Sequence, residues 1–260
     1  MNTFMAAITI VLVGIDVFHA ASLSNKPIII TSSAMLHHRP PSYHPECPER
    51  LSECLTMIDA LKTSDAVHVM EPTGVRSKAD YVRALDIIYK VHDRAYVDEV
   101  QLLCSKGARS LSPWDADTYI SKSSFDACVI AQSCWLDGID LILTRASSGD
   151  AGKHDDNNSI VFALTRPPGH HALHSASMGF CIFNFAAGAV RHAIDHYGVE
   201  RVSVLDFDVH YGNGVADLIE QAGYSADVRY VIVQHVVRCV ISFRAIVSGT
   251  APCTSEGSSP

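Results

Sequence analysis

The chain has 260 residues, of which 48% are hydrophobic and 18% charged, and its formal net charge at pH 7 is −8. This balance excludes an intrinsically disordered chain, which would be poorer in apolar residues and richer in charge. The acidic surface also argues against a duplex DNA-binding protein, because phosphates require clustered lysine and arginine. It suits a cationic substrate better, and no internal apolar run is long enough to predict a membrane span.

The N-terminus begins with a short apolar run, Ile8–Ile15, followed by the small-residue stretch His19–Ser22. These two features resemble the core and the cleavage site of a signal peptide, although no lysine or arginine precedes the run. Residues 1–25 are therefore interpreted as a targeting segment or a disordered extension, with a buried first strand as the alternative. If the segment is not removed, the cytoplasm or the nucleus is the expected location.

The rest of the chain alternates apolar strands with amphipathic helices. Strands are predicted at Ile28–Thr31, Ser159–Leu164, Val202–Phe207 and Val228–Val233. Helices are predicted at Pro48–Leu61, Asp80–Tyr89, Arg94–Cys104, Ser124–Asp140, Asn184–Tyr197 and Gly214–Ala222. This alternation indicates an α/β fold with an open parallel sheet covered by helices on both faces. Residues 236–260 lose the pattern and are predicted to be a divergent, disordered tail.

Polar residues follow the predicted strand Val202–Phe207 at every second position. Asp206, Asp208 and His210 would lie on one face if the chain stays extended there. They would stand at the carboxyl end of a strand, where open α/β sheets place their ligands. Carboxylate and imidazole donors suit a borderline cation such as Zn²⁺. The alternative is a capped strand end with solvated acids.

A second polar group, His170–His171, follows Pro167, Pro168 and Gly169 directly after another predicted strand. A neutral histidine near a metal-bound water is a natural general base, because its reference pKa of about 6.5 lies near working pH. The two groups together favour a metal-dependent hydrolase.

Several motifs resemble the histone deacetylase superfamily, and most closely its class II and acetylpolyamine amidohydrolase branch. The similar segments are His44–Leu51, Asp117–Tyr119, Arg166–Ala172, Gly179–Asn184 and Leu205–Gly214. The resemblance implies a single-domain arginase/deacetylase-like fold over residues 26–235 that is incomplete at its C-terminus. It also implies zinc-dependent hydrolysis of N-acetyl amides, with acetyl-lysine peptides or acetylpolyamines as substrates. No direct nucleic-acid partner is expected.

The resemblance also implies roles for individual residues. Asp208 and His210 correspond to two of the family's three zinc ligands. His170 and His171 correspond to its tandem histidines, with His171 favoured as the general base. Asp206 corresponds to the carboxylate that partners the first histidine and helps to bind a structural K⁺.

Further roles concern the surroundings of the histidines. Asn213 stands where some relatives carry an aspartate that partners the second histidine. Gly179 and Phe180 correspond to the rim and wall of the acyl-lysine tunnel. Looser matches place Arg50 near an internal-channel arginine and Asp117 near a substrate-orienting aspartate.

The sequence also departs from the family pattern. The third zinc ligand, an aspartate in a later loop, and the oxyanion-stabilising tyrosine of a Gly-Gly-Tyr segment have no counterpart, and the similarity stops after Val231. A truncated or frame-altered product with little or no activity is therefore expected. One alternative is an inactive fragment that acts only by binding. Another is an arginase-like Mn²⁺ ureohydrolase, but Gly212 occupies the position where that enzyme would need an aspartate.

Overall fold

The structure, a computed structural model, describes residues 9–13, 26–111, 117–147, 160–223 and 228–232. The predicted cleavage site at His19–Ser22 and the predicted tail at residues 236–260 lie outside the described residues. The domain boundaries drawn from the sequence therefore stay predictions.

The described elements follow the predicted alternation. The strands are β1 Thr9–Val13, β2 Ile28–Ile30, β3 His68–Met70, β4 Val161–Ala163, β5 Val202–Asp206 and β6 Val228–Ile232. The helices are α1 Glu49–Thr63, α2 Thr73–Arg76, α3 Lys78–Val91, α4 Arg94–Ser105, α5 Ser124–Ser147, α6 Phe185–Tyr197 and α7 Asn213–Gln221. The sequence did not predict β3 and α2, because three or four residues are too few to show a periodicity.

Within the described ranges, the strands form two three-stranded sheets, ordered β3-β2-β4 and β1-β5-β6. All pairs are parallel except β1 with β5, which is antiparallel. The predicted α/β class with parallel pairing is confirmed. The sequence suggested a single sheet, whereas β4 and β5 belong to different sheets here.

Helix α5 joins two hydrophobic cores. Its first half packs with β2, α3 and α4 through fully buried residues such as Cys128 and Leu136. Its second half contributes Ile139 and Leu143 to a core under β5, β6 and α7. Each such buried aliphatic side chain stabilises the fold by about 1.5–3 kcal/mol. The segment Ser124–Thr144 is long and apolar enough to cross a membrane by length and composition alone, but 67% of that window is buried inside the protein, as in the core helix of a soluble fold.

The loop of residues 173–183, which precedes α6, is tied at both ends to His92. The Nδ1 atom of His92 lies 2.9 Å from the carbonyl oxygen of Leu173, and its Nε2 accepts a hydrogen bond from the Asn184 backbone at 2.9 Å. Because Nε2 accepts, Nδ1 carries the proton and the ring is neutral. Burial lowers the pKa of His92 to about 4, which keeps the ring in this form.

Candidate active site

The tandem histidines follow β4, and their rings lie 4.0 Å apart between centroids. The Nδ1 atom of His170 lies 2.9 Å from Oδ2 of the fully buried Asp206 at the end of β5. The Nδ1 atom of His171 lies 2.7 Å from Oδ1 of Asn213, the first residue of α7. The two predicted partner pairs are therefore adjacent in space, and each imidazole is oriented by a different kind of group.

The partner of His171 defines which of its nitrogens is free. The Oδ1 atom of Asn213 can only accept, so Nδ1 of His171 donates and its Nε2 keeps a lone pair. Burial lowers the pKa of His171 below its usual value, which favours the neutral ring. His170 instead faces the carboxylate of Asp206, with Nδ1 lying 2.9 Å from Oδ2. This difference favours His171 as the proton acceptor.

Asp208 and His210 lie beside the histidine pair but do not continue the strand. Strand β5 ends at Asp206, whose Oδ1 accepts from the backbone of Asp208 at 3.1 Å. In turn, Oδ1 of Asp208 accepts from the backbone of His210 at 2.8 Å and lies 2.9 Å from its Nδ1. The predicted alignment on one strand face is therefore replaced by successive side-chain-to-backbone turns. The ring of His210 comes within 5.9 Å of the His171 ring, between centroids.

Asp208 and His210 can be compared, in the type and number of their donor atoms, with the ligands that zinc uses in proteins. A carboxylate oxygen and an imidazole nitrogen are ordinary zinc ligands, and the two side chains already approach each other. Among the described residues, no group of three or more histidine, cysteine or acidic side chains is arranged to hold a metal ion. The donors therefore fit zinc in kind, and a third protein ligand is not found in the described part of the chain.

The first turn of α7 packs directly on the backbone of the histidine pair. The backbone N–H of Val215 donates to the carbonyl of His170 at 3.2 Å. A Cβ atom at Gly214 would lie 2.3 Å from the carbonyl oxygen of Ala172, closer than two atoms can approach. Glycine is thus required for α7 to place Asn213 against His171.

Gly179 and Phe180 form a turn in which Gly179 lies against the ring of His171. Their φ angles are +55° and +71°, and a Cβ at Gly179 would lie 2.6 Å from Cδ2 of His171. The unusual backbone of Phe180 is held by its N–H, which donates to Oγ1 of Thr118 at 3.0 Å. Asp117 is exposed and directly precedes Thr118, so the segment that contains it adjoins the turn at Gly179 and Phe180.

A separate buried charged group is formed by Glu46, Arg166, Tyr119 and His38. Arg166 is 3% exposed; its Nε lies 2.7 Å from Oε1 of Glu46, and its Nη2 donates to Oε2 at 2.9 Å. Tyr119 donates to the same Oε2 at 2.6 Å. Burial raises the pKa of Glu46, but hydrogen bonds from His38 and Tyr119 and the charge of Arg166 outweigh it and lower the pKa to about 2.

This buried group touches the site through an aromatic chain. The ring of His44 packs edge-on between Tyr119 and Phe180, 4.9 Å from each centroid. Sequence reasoning assigned no role to Glu46, Tyr119 or the ring of His44. In the sequence, the only indication of a role for these three residues is that they lie within segments similar to the histone deacetylase family.

Arg50 also reaches the buried charged group, with Nη1 lying 3.7 Å from Oε1 of Glu46. It lines a cavity of about 390 Å³ whose wall includes Arg166 and His170. The cavity therefore extends from His170 towards α1. The role of Arg50 in an internal channel stays a prediction.

Comparisons with known proteins agree with these motifs. The chain matches the histone deacetylase domain over residues 44–233. It is 36% identical to the uncharacterized protein slr0245 of Synechocystis, over 74% of this chain and 57% of that protein. It is 32% identical to histone deacetylase 14, chloroplastic, of Arabidopsis thaliana, over 75% of this chain and 45% of that protein. It is 31% identical to the human polyamine deacetylase HDAC10, over 68% of this chain and 24% of that protein.

A solved structure shows the same fold. The HDA15 HD domain superposes with a TM-score of 0.59 at 27% identity, covering 81% of this chain and 54% of that one. The chain spans about half the length of the Synechocystis and Arabidopsis relatives and of the HDA15 domain. With the match to residues 44–233, these findings establish that the chain belongs to the histone deacetylase family.

Proposed function

We propose that the site serves zinc-dependent hydrolysis of N-acetyl amides, on acetyl-lysine peptides or acetylpolyamines. The observation that carries the proposal is the arrangement of His171, whose free Nε2 belongs to a ring packed beside His210 and Asp208. Relatives named as a histone deacetylase and a polyamine deacetylase support the two substrate classes. The net charge of −8 favours a cationic substrate of either class.

Asp208 and His210 would hold the zinc ion. When bound, zinc polarises a carbonyl group and lowers the pKa of a coordinated water. His171 accepts the proton of the attacking water at Nε2, because its Nδ1 is already held by Asn213. The tandem pair then returns this one proton to the leaving amine, so that both rings end the cycle as they began it, while Asp206 orients His170 through its Nδ1 atom. By resemblance, Asp206 would also help to bind a structural K⁺.

The access path to these groups is formed by the turn at Gly179 and Phe180. Thr118 fixes the backbone of Phe180, and His44 packs against its ring, so an apolar wall stands beside His171. Such a wall would contact the alkyl stem of an acetylated lysine or polyamine and limit access of water. Asp117, exposed next to this wall, would orient the substrate backbone or amine.

Catalysis by these 260 residues alone is expected to be very weak. They supply two metal donors in matching positions, whereas catalytic zinc sites ordinarily use three. Removal of an oxyanion donor, the role of the family's tyrosine, typically costs about 10²–10³ in rate. A second candidate function, binding of an acetylated ligand without turnover, is favoured by the same shortage of ligands. The arginase-like alternative lacks the acidic residue that it would need at Gly212.

The metal assignment is tested by zinc content. The purified chain, loaded with zinc and dialysed, is compared with Asp208→Ala, His210→Ala and the exposed control Asp59→Ala by mass spectrometry. We expect bound zinc in the chain and in the control, and loss of it in both site variants without loss of fold. Equal zinc content in all four proteins would contradict the assignment.

Turnover is tested separately with an acetyl-lysine reporter and an acetylated polyamine. We expect no hydrolysis above a control containing zinc without protein. Robust turnover that a metal-chelating inhibitor abolishes would contradict the expected inactivity and would mean that another residue completes the site.

We further propose that residues 1–25 act as a targeting segment, whose removal would take β1 away from its antiparallel partner β5. The relative from Arabidopsis thaliana is named as chloroplastic, which supports an organellar destination. The mature N-terminus in the native source is then expected between Ala21 and Ser24. Recovery of the protein with Met1 intact would contradict this and leave the cytoplasm or the nucleus as the location.

A further inference from the structure

Another cavity, of about 290 Å³, lies apart from the candidate active site. The end of α3, one face of α6, the second half of α7 and His174 of the loop at residues 173–183 surround it. The residues assigned above to the metal, to proton transfer and to the substrate tunnel do not line it. Its volume is close to the lower end of the range of ligand pockets, roughly 300–1,000 Å³, so it can take a small molecule.

Part of the cavity wall is aliphatic. Val91, Val190, Leu218 and Ile219 line it, and all four are buried. They come from α3, α6 and α7, so this wall exists only where the three helices pack together. An aliphatic wall of this kind binds the hydrocarbon part of a ligand, because the contact removes apolar surface from water.

The charged residues that line the cavity, Lys90 and Arg191, are both basic. Among the described residues that line it there is no aspartate or glutamate, although the chain has 28 acidic residues and 20 basic ones. The charge of the lining is thus opposite to that of the chain as a whole. Cations that converge on a cavity without an acidic residue attract an anion.

Asp195 does not line the cavity, and it shows that the two cations can share one carboxylate. Its Oδ2 atom lies 2.6 Å from Nε of Arg191 and 4.0 Å from Nζ of Lys90. The side chain of Lys90 is 51% exposed, and a long, exposed ion pair of this kind contributes little to stability. The ammonium group of Lys90 can therefore turn towards a carboxylate inside the cavity.

The other polar lining residues, His174 and Gln221, are held by the protein itself. The Nδ1 atom of His174 lies 3.0 Å from the carbonyl oxygen of Val91 at the end of α3. The Nε2 atom of Gln221 donates to Oδ2 of Asp217 at 2.9 Å. The two cations are therefore the groups that a ligand would recruit.

We propose that this cavity binds an aliphatic monocarboxylate. The carboxylate would lie between Lys90 and Arg191, and the hydrocarbon chain would lie against the aliphatic wall. Both features are needed, because an inorganic anion would not contact the wall and an aliphatic alcohol or amine would not match the charge. The bound ligand would join α3, α6 and α7 and stabilise the fold, independently of metal binding and turnover.

The test is isothermal titration calorimetry of the full chain with hexanoate. The protein is first freed of metal with a chelator and dialysed, so that no metal ion can coordinate the probe. We expect one-to-one binding with a Kd of about 1 mM or tighter, and a rise in the melting temperature. Absence of saturable binding would overturn the proposal.

Four further probes separate the charge from the hydrocarbon chain. Hexylamine and hexan-1-ol keep the chain and change the head group, whereas acetate and inorganic phosphate keep a negative charge and lack the chain. Each is expected to bind at least about tenfold more weakly than hexanoate, because each loses one of the two contacts. Binding of any of the four as tight as that of hexanoate would overturn the proposal, because either the cations or the wall would then play no part.

A first pair of variants locates the charged contact. Lys90→Gln is expected to weaken hexanoate binding at least about fivefold, because it removes one of the two cations. Lys62→Gln is the matched control, since Lys62 is also 51% exposed and 4.0 Å from an aspartate, on α1. It is expected to change the affinity less than about twofold. Equal effects of the two substitutions would refute the location.

A second pair of variants tests the cavity itself. Ala222→Leu enlarges an exposed side chain that lines the cavity and is expected to weaken binding at least about tenfold, because it occupies the space of the ligand. Ala60→Leu, on the exposed side of α1, is the control and should bind as the unmodified chain does. Circular dichroism melts establish that the variants are folded. Hexanoate binding that neither Lys90→Gln nor Ala222→Leu weakens would lie elsewhere on the chain and overturn the proposal.

Discussion

Glu46 supplies the negative charge of the buried charged group, and its replacement by glutamine is expected to destabilise the fold by about 3–5 kcal/mol. Glutamine keeps the shape of the side chain but leaves the guanidinium of Arg166 without a counterion in a site that is 3% exposed. The remaining partners of Arg166, the carbonyl of Met35 and the hydroxyl of Tyr119, are neutral acceptors. Arg50 lies 3.7 Å from the same carboxylate, so a second cation also loses its anion.

The magnitude is measured by urea unfolding of the purified chain at neutral pH, followed by circular dichroism. Asp59→Asn is the matched control, because it removes a carboxylate 4.0 Å from the exposed Lys62 on the surface of α1. That change is expected to cost less than about 1 kcal/mol, as exposed ion pairs do. A cost for Glu46→Gln that is no larger than the control's would refute the reasoning that an unpaired buried charge dominates.

Three further outcomes are expected. Gly214→Ala should cost about 1–3 kcal/mol in urea unfolding and shift the ring resonances of His171, because the new Cβ collides with the backbone at Ala172. Gly198→Ala should cost only about 1 kcal/mol, because φ is +64° at the end of α6 but nothing lies within 4 Å of the added atom. Stability should fall by up to about 3 kcal/mol between pH 6.5 and 4, because the unfolded chain binds a proton at His92 that the folded chain, with its pKa lowered to about 4, does not. Urea unfolding as a function of pH should show a smaller slope in this interval for His92→Gln.

Local sequence patterns predicted the elements that bury a continuous apolar face. Helix α6 is an example, because Asn184 caps its start by accepting from Ala187 and Gly198 ends it in the left-handed conformation. The family resemblance correctly identified the fold, and the pairs His170–Asp206 and His171–Asn213 could be anticipated from it. The prediction that Asp206, Asp208 and His210 lie on one strand face was wrong. The strand ends at Asp206, and the aspartate side chains accept hydrogen bonds from the backbone instead.

Contacts between distant segments were not accessible from the sequence. Glu46 and Arg166 are 120 residues apart, and no local periodicity links a buried acid to a buried base at that separation. The same holds for His92, which joins the end of α3 to both ends of the loop at residues 173–183. Such groups are recognised only after packing has excluded water from them, because their charge or polarity alone predicts an exposed position.

The division of the strands between two sheets has a consequence for the dynamics of the site. The tandem histidines extend from β4, whereas Asp206, Asp208 and His210 extend from β5, and each sheet has its own hydrophobic core. Units of this kind open as separate cooperative steps in native-state hydrogen exchange. Opening of the β5 unit would carry Asp208 and His210, the proposed metal donors, away from His171, the proposed proton acceptor, while the amides of β2 and α3 stayed protected. A bound ion would therefore slow exchange selectively in β5, β6 and α7, because a ligand stabilises only the state that holds it.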